Sequence, residues 1–223
     1  MKNIITGLAV LGLATCLSTQ SNAAGFFIQE QSVSGLGAAF AGQAAMPRDA
    51  SILYYNAAGM TYLEGMNGNI GVNVIAPVSD IDDTGSSTPA VNFGGTGQDS
   101  KNPYDPTPVP NLYYTHQIND KVWAGLAITA PFGLGSEYDE NWFGRYDSIK
   151  TELKTINVQP SVAFKVNDRL SLGAGIDIQY ADAELTSAVF VGAGAVGKSI
   201  LKGDDVSYGY NLGAMYDVTE LTR

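Results

Sequence analysis

The chain has 223 residues and a formal net charge of −10 at pH 7, with 15% charged residues and a mean hydropathy near zero. That acidity argues against nucleic acid as a partner, and beyond the first two dozen residues no run of ~20 apolar residues could form a helical membrane span. The one cysteine, Cys16, lies in the leader, which excludes disulfides, a thiol nucleophile and a cysteine-ligated metal from the rest.

Lys2 followed by the mostly apolar stretch 4–17 and the small residues Ser21-Asn22-Ala23 predicts a signal peptide, 1–23, cut after Ala23. Residues 24–65 do not alternate. Small residues dominate from Ser34 to Ala45, and Asp49-Ala50-Ser51 is placed to cap a short helix. This segment is predicted to fill a barrel lumen as a plug of short helices.

From residue 66 onward the pattern changes to a period of two. Leu170, Leu172, Ala174, Ile176, Ile178 and Tyr180 alternate with Ser171, Gly173, Gly175, Asp177 and Gln179. Side chains alternate across a strand, so one face is oily and the other polar or very small. Strands are predicted over 67–78, 109–118, 122–130, 153–166, 170–183 and 206–218. Several reach the roughly 9–11 residues of a transmembrane strand rather than the usual 5–6 of a soluble one. Asn119-Asp120 and Asn167-Asp168-Arg169 are tight turns. Segments 79–108, 131–150 and 186–205 are long loops. Short turns belong to the periplasmic side and long loops to the outside. Asp80, Asp82 and Asp83 read as a solvated acidic loop rather than a metal site.

The fold class is therefore all-β, a transmembrane antiparallel β-barrel in the outer membrane, with residues 66–223 supplying about six strands. Six strands alone would leave two unpaired edges in lipid. The chain is thus expected to be the N-terminal part of a longer barrel, monomeric when full length and in contact with outer-membrane lipid and lipopolysaccharide.

Several motifs occur together and in order. They are Ala24-Gly25-Phe26, Ser34-Gly35-Leu36-Gly37, Tyr55-Asn56-Ala57-Ala58-Gly59-Met60, Thr129-Ala130-Pro131-Phe132-Gly133-Leu134 and Trp142-Phe143-Gly144-Arg145-Tyr146. On these the chain resembles the FadL/TodX family. The resemblance implies a fourteen-stranded channel for long-chain fatty acids or other hydrophobic compounds, with an N-terminal hatch (24–65) in its lumen. It implies no cofactor and no catalysis. It also implies roles. Asn56, Ala57 and Ala58 stand at the hatch signature, where the family has Asn-Pro-Ala; the lost proline frees a φ angle and adds an N–H. Pro131, Phe132, Gly133, Leu134 and Gly135 match the inward kink of the third strand that makes a lateral opening. Phe26, Phe27 and Ile28 match an N-terminus that reaches an inner pocket. Val189, Phe190 and Val191 fall in a loop that forms an outer capture groove, with Lys198 and Arg145 as candidate partners of a headgroup.

Where fatty-acid members carry a basic residue past the fifth strand, this chain has Ser187. Aromatic hydrocarbons therefore stay open as ligands. A general porin would need a wide polar lumen with charged rings, which the plug and the small inward residues oppose. An outer-membrane enzyme is disfavoured because the only histidine, His116, has no persuasive nucleophile or acid beside it.

Overall fold

The computed structural model of the chain describes residues 27–85, 98–192 and 195–219. The predicted leader and Phe26 lie outside them. Among the described residues seven strands form one antiparallel sheet: β1 (Met66–Ile75), β2 (Thr107–Asn119), β3 (Val122–Thr129), β4 (Gly133–Glu137), β5 (Lys150–Lys165), β6 (Leu170–Gly192) and β7 (Ala195–Tyr216). The order is β1-β2-β3-β5-β6-β7, with β4 continuing the line of β3 beside β5. The sheet is open between β1 and β7.

The two predicted tight turns use one device. Asn119 Oδ1 accepts from the N–H groups of Lys121 and Val122, and Asn167 Oδ1 accepts from those of Arg169 and Leu170. Each side chain replaces the backbone acceptor that a reversing chain leaves unused.

Alternation divides the sheet into two faces. Ile70, Ile156, Val162, Ile176, Tyr208 and Leu212 are exposed on one face, Ile70 to 80%. Asn111, Thr115, Asn157, Gln159, Ser161 and Ser171 are buried on the other. This oil-out, polar-in arrangement suits lipid outside and a filled lumen inside. The outer rim is marked by charge. Lys154 pairs with Asp182, and Asp182 with Asp204, directly above the row Ile156, Tyr180, Val206. From Leu172 to Tyr180 the outward apolar run is about nine residues, roughly 27 Å of strand at about 3.4 Å per residue. At a tilt of about 40° that is roughly 21 Å tall, close to the ~25 Å apolar band of such barrels.

Several boundaries differ from expectation: β4 is a seventh strand inside 131–150, expected to be a loop, and β5 begins at Lys150 rather than at 153. β1 stops at Ile75, short of Pro77, which has no ladder donor. β2 begins at Thr107 despite Pro108 and Pro110. Segment 186–205 is not a loop: β6 and β7 stay paired from Leu170↔Tyr216 to Phe190↔Val196 and turn near Gly192, whose φ is 97°. Nothing in 186–191 or 195–205 blocks a ladder, since proline is absent there. The cross-strand pair Glu184–Lys202 at 3.2 Å supports the register.

The hatch lies on the polar face. It contains helices α1 (Val33–Leu36) and α2 (Ile52–Tyr55) and the 3₁₀ turns Gln43–Ala45 and Ala57–Tyr62. Ala50, Leu53, Ala57 and Met60 pack against Tyr113, Trp123, Ala127 and Ala163 of the wall. Each large side chain fully buried here contributes about 1.5–3 kcal/mol. Trp123 donates its indole N–H to the carbonyl of Leu63 at 2.8 Å, which fixes the base of the hatch.

Candidate functional site: a gap in the wall and the segment that fills it

The wall is incomplete at one place. β2 pairs with β3 only from Asn119↔Val122 to Leu112↔Ile128, although β2 continues to Thr107 along β1. A proline cannot donate, so the hydrogen-bonded positions of this stretch toward β1 are Val109 and Asn111. The ring nitrogens of Pro108 and Pro110 then face the other side, toward β4, where no ladder forms.

The opposite lip is a bulge. β3 ends with Thr129 opposite Asn157, and β4 begins with Gly133 opposite Lys154. Ala130, Pro131 and Phe132 therefore face only Thr155 and Ile156, one residue too many, which bends the strand. The Thr155 hydroxyl accepts from the Phe132 N–H at 2.9 Å and donates to the Phe132 carbonyl at 2.6 Å. One side chain thus replaces the missing ladder contacts.

Two carbonyls of this lip are taken by the start of the hatch. The Pro131 carbonyl accepts from the Ile28 N–H at 2.9 Å, and the Ala130 carbonyl from Gln31 Nε2 at 2.8 Å. Tyr113 Oη of β2 donates to the Gln31 carbonyl. Phe27 bridges Phe132 as an antiparallel pair, their rings edge-to-face at 5.8 Å. Ile28 is 6% exposed and sits between Val109 and Gly133. A Cβ on Gly133 would lie 3.1 Å from Ile28 Cδ1, whereas one on Gly135 would meet open space. Outside this seat a mostly apolar cavity of about 320 Å³ is lined by Pro108, Pro110, Phe132, Leu153 and Ile156.

Behind the seat, on the lumen side, a second cavity of about 260 Å³ is lined by Phe27, Phe132, Tyr54, Asn157, Asp177 and Asn211, among others. Burial, and after it the Asp177 carboxylate, push the Tyr54 phenol up to about 12, so it remains protonated.

The hatch signature anchors the plug. Asn56 Oδ1 accepts from the Ala58 N–H at 3.1 Å, while its Nδ2 donates to the carbonyls of Ala44 and Ala214 at 2.9 and 3.1 Å. Ala57 and Ala58 are buried. Their backbone lies so close to the wall that a Cβ on Gly173 would come within 2.3 Å of Ala58 N, so only glycine fits there. A Cβ on Gly213 would come within 2.1 Å of Asn56 Oδ1 and push that anchoring side chain aside.

The remaining predicted residues are elsewhere. Leu134 pairs along the backbone with Leu153 in β4. Val189, Phe190 and Val191 are 42%, 38% and 66% exposed near the tip of the β6–β7 hairpin. Lys198 pairs with Glu140 at 3.1 Å. Arg145 is 5% exposed, donates to the Trp142 carbonyl at 3.2 Å and lies over the Tyr146 ring. Its carbonyl accepts from the Ala188 N–H of β6 at 2.7 Å, and the structure does not bring it to the wall gap. Sequence reasoning did not reach Gln31, Thr155, Pro108 or Pro110. The prolines carried a legible signal, since a repeated proline in a strand marks an edge.

With this geometry in place, likeness to known proteins is informative. The sequence model of the family described as outer membrane protein transport protein (OMPP1/FadL/TodX) matches residues 14–223. The long-chain fatty acid transport protein of Escherichia coli O6:H1 (strain CFT073) is 31% identical over 248 residues, covering 100% of this chain and 53% of the relative. Outer membrane protein P1 of Haemophilus influenzae is 34% identical over 175 residues, covering 74% and 38%. Among solved structures, a FadL homologue of Pseudomonas aeruginosa superposes with a TM-score of 0.72 at 26% identity, covering 88% of this chain and 50% of the other. The toluene transporter TodX of Pseudomonas putida, at 19% identity and a TM-score of 0.54, covers 76% and 47% and shares the fold. The chain spans about half the length of the first of these curated relatives. It belongs to the OMPP1/FadL/TodX family of outer-membrane transport proteins.

Proposed function

We propose that the chain supplies the hatch and the gated wall of an outer-membrane channel for long-chain fatty acids or other hydrophobic small molecules. The ligand is captured outside along the β6–β7 hairpin, enters the lumen cavity behind Phe27, and leaves sideways between β2 and β4. A greasy molecule gains about 0.8 kcal/mol per CH₂ on returning to hydrocarbon, so a sideways exit spares it a water-filled pore.

The observation that carries this reading is the unpaired stretch of wall occupied by Ile28. A wall built to stay shut would pair β2 with β4. Here the hatch segment donates hydrogen bonds to the Ala130 and Pro131 carbonyls and accepts one from Tyr113 Oη, and these three hold the filler instead. At about 1 kcal/mol each they contribute roughly 3 kcal/mol to the seat, to which the burial of Ile28, the Phe27–Phe132 contact and the bond from Asn73 Nδ2 to the Glu30 carbonyl add. Ligand arriving beside Phe27 competes with these contacts.

The test uses the full-length protein in cells without another fatty acid channel. Replacing Gly133 and Gly135 by valine puts one branched side chain against Ile28 and another into the open part of the gap. Oleate uptake is expected to fall strongly, with the amount of protein in the outer membrane unchanged. Uptake at the original rate would place the exit elsewhere.

A further inference from the structure

Asp177 is a carboxylate in the middle of the lumen face, and it is incompletely used. Its Oδ1 accepts from Asn157 Nδ2 at 3.0 Å and its Oδ2 from Asn211 Nδ2 at 3.0 Å. A carboxylate offers about four acceptor positions, so roughly two remain. Asn157, only 5% exposed, keeps its Oδ1 without a hydrogen-bond partner among the described residues. Both groups line the 260 Å³ cavity behind Phe27 and Phe132, and no Lys or Arg lines it among the described residues.

The backbone makes room for this arrangement. Pairing of β5 with β6 lapses between Val158↔Ile178 and Ser161↔Gly175, where Pro160 has no N–H. Gly209 stands opposite Asp177, and Gly175 opposite Asn211. A Cβ on Gly175 would lie 2.7 Å from Asn211 Nδ2 and displace it. The cavity therefore combines aromatic walls with spare acceptors and a fixed negative charge. An ionised carboxylate brought here would meet the like charge of Asp177, to which Asn157 and Asn211 have each already given one of their two amide N–H groups. A hydroxyl would instead donate to the remaining acceptor positions of Asp177.

The geometry points to Asp177 as a selectivity residue, making this cavity a binding site for neutral hydrophobic molecules that carry a hydroxyl, such as alkyl alcohols, in preference to fatty carboxylates. This deepens the transport reading above and rests on it for the ligand's route, although not for its binding.

The experiment is equilibrium dialysis of radiolabelled 1-octanol and octanoate against the purified full-length protein in detergent, with empty micelles as control, at pH 7.5. The wild type is expected to hold octanol about tenfold more tightly than octanoate, the scale of a hydrogen bond to a charged acceptor. Asp177→Asn should bring the two within about twofold, and Asp177→Glu should restore much of the difference. A wild type that prefers octanoate, or a folded Asp177→Asn variant with an unchanged ratio, overturns the proposal and leaves Asp177 as a clasp for Asn157 and Asn211. If Asp177→Asn does not fold, the wild-type ratio alone decides. Uptake in cells is read separately. Selective octanol binding without uptake of any hydrophobic probe would retain this site and refute the transport reading.

Discussion

The β6–β7 hairpin and the β2–β4 boundary answer the same structural question in opposite ways. β6 and β7 stay in register from Leu170↔Tyr216 to a tip well beyond the charged row of Lys154, Asp182 and Asp204. β2 and β4 face each other over a stretch of similar character and do not pair at all. The difference lies in which backbone groups are available. Along the hairpin every residue from Leu170 to Phe190 has an N–H. At the boundary, Pro108 and Pro110 remove donors from one lip, while Pro131 and the bulge at Phe132 turn the other away. The wall is closed by default and opened by a few residues, and the carbonyls left free are satisfied by Ile28 and Gln31 of the hatch.

This contrast can be broken from either side. The largest effect is expected from giving the boundary the hairpin's chemistry. Replacing Pro108 and Pro110 by threonine returns two donors to β2. At about 1 kcal/mol per restored bond the shut wall gains roughly 2 kcal/mol, so ligand uptake by the full-length protein should fall about thirtyfold. Amide hydrogen exchange should show new protection at residues 108 and 110. Protection without loss of uptake would mean that pairing there does not govern passage.

A smaller effect is expected at the hairpin. Phe190→Ser and Val191→Ser remove exposed apolar surface at its tip while leaving the ladder intact. Losing roughly 50 Å² of contact at about 25 cal/mol per Å² costs a captured ligand about 1.3 kcal/mol. Uptake should decline at low ligand concentration and recover at high concentration, the behaviour of a capture surface. A change in the maximal rate would instead assign these residues to a later step.

Much of this was legible in the residues themselves. Alternation of oily and small or polar residues located six strands, and Asn119 and Asn167 located the tight turns. The outer half of the hairpin was not legible because β7 there is exposed on both faces, while Thr186 and Ala188 of β6 are covered by the loop that carries Arg145 and Ile149. From Asp182 and Asp204 outward the period of two disappears, while the backbone still pairs. Glycines 192, 194 and 197 added to the appearance of a loop. Gln31 and Thr155 were invisible for another reason. Each acts on residues 99 and 23 positions away, and a role set by a distant partner leaves no local pattern. Asp177 stood in plain view as a polar member of an alternating strand. Its setting depends on Asn157 and Asn211 from the neighbouring strands and on Tyr54 from the hatch.

The most direct test of the gated wall is a reversible lock. Residues 24–223 contain no cysteine, so Phe27→Cys together with Phe132→Cys introduces the one pair within this part of the protein, at the antiparallel bridge that joins the hatch segment to the kink. Opposed antiparallel residues have Cα atoms about 4.5–5.5 Å apart, within the range a disulfide spans. In the full-length protein the oxidised pair should abolish uptake of oleate or toluene, and reduction should restore it in the same cells. If the oxidised pair carries ligand as fast as the reduced one, the hatch segment does not gate this wall.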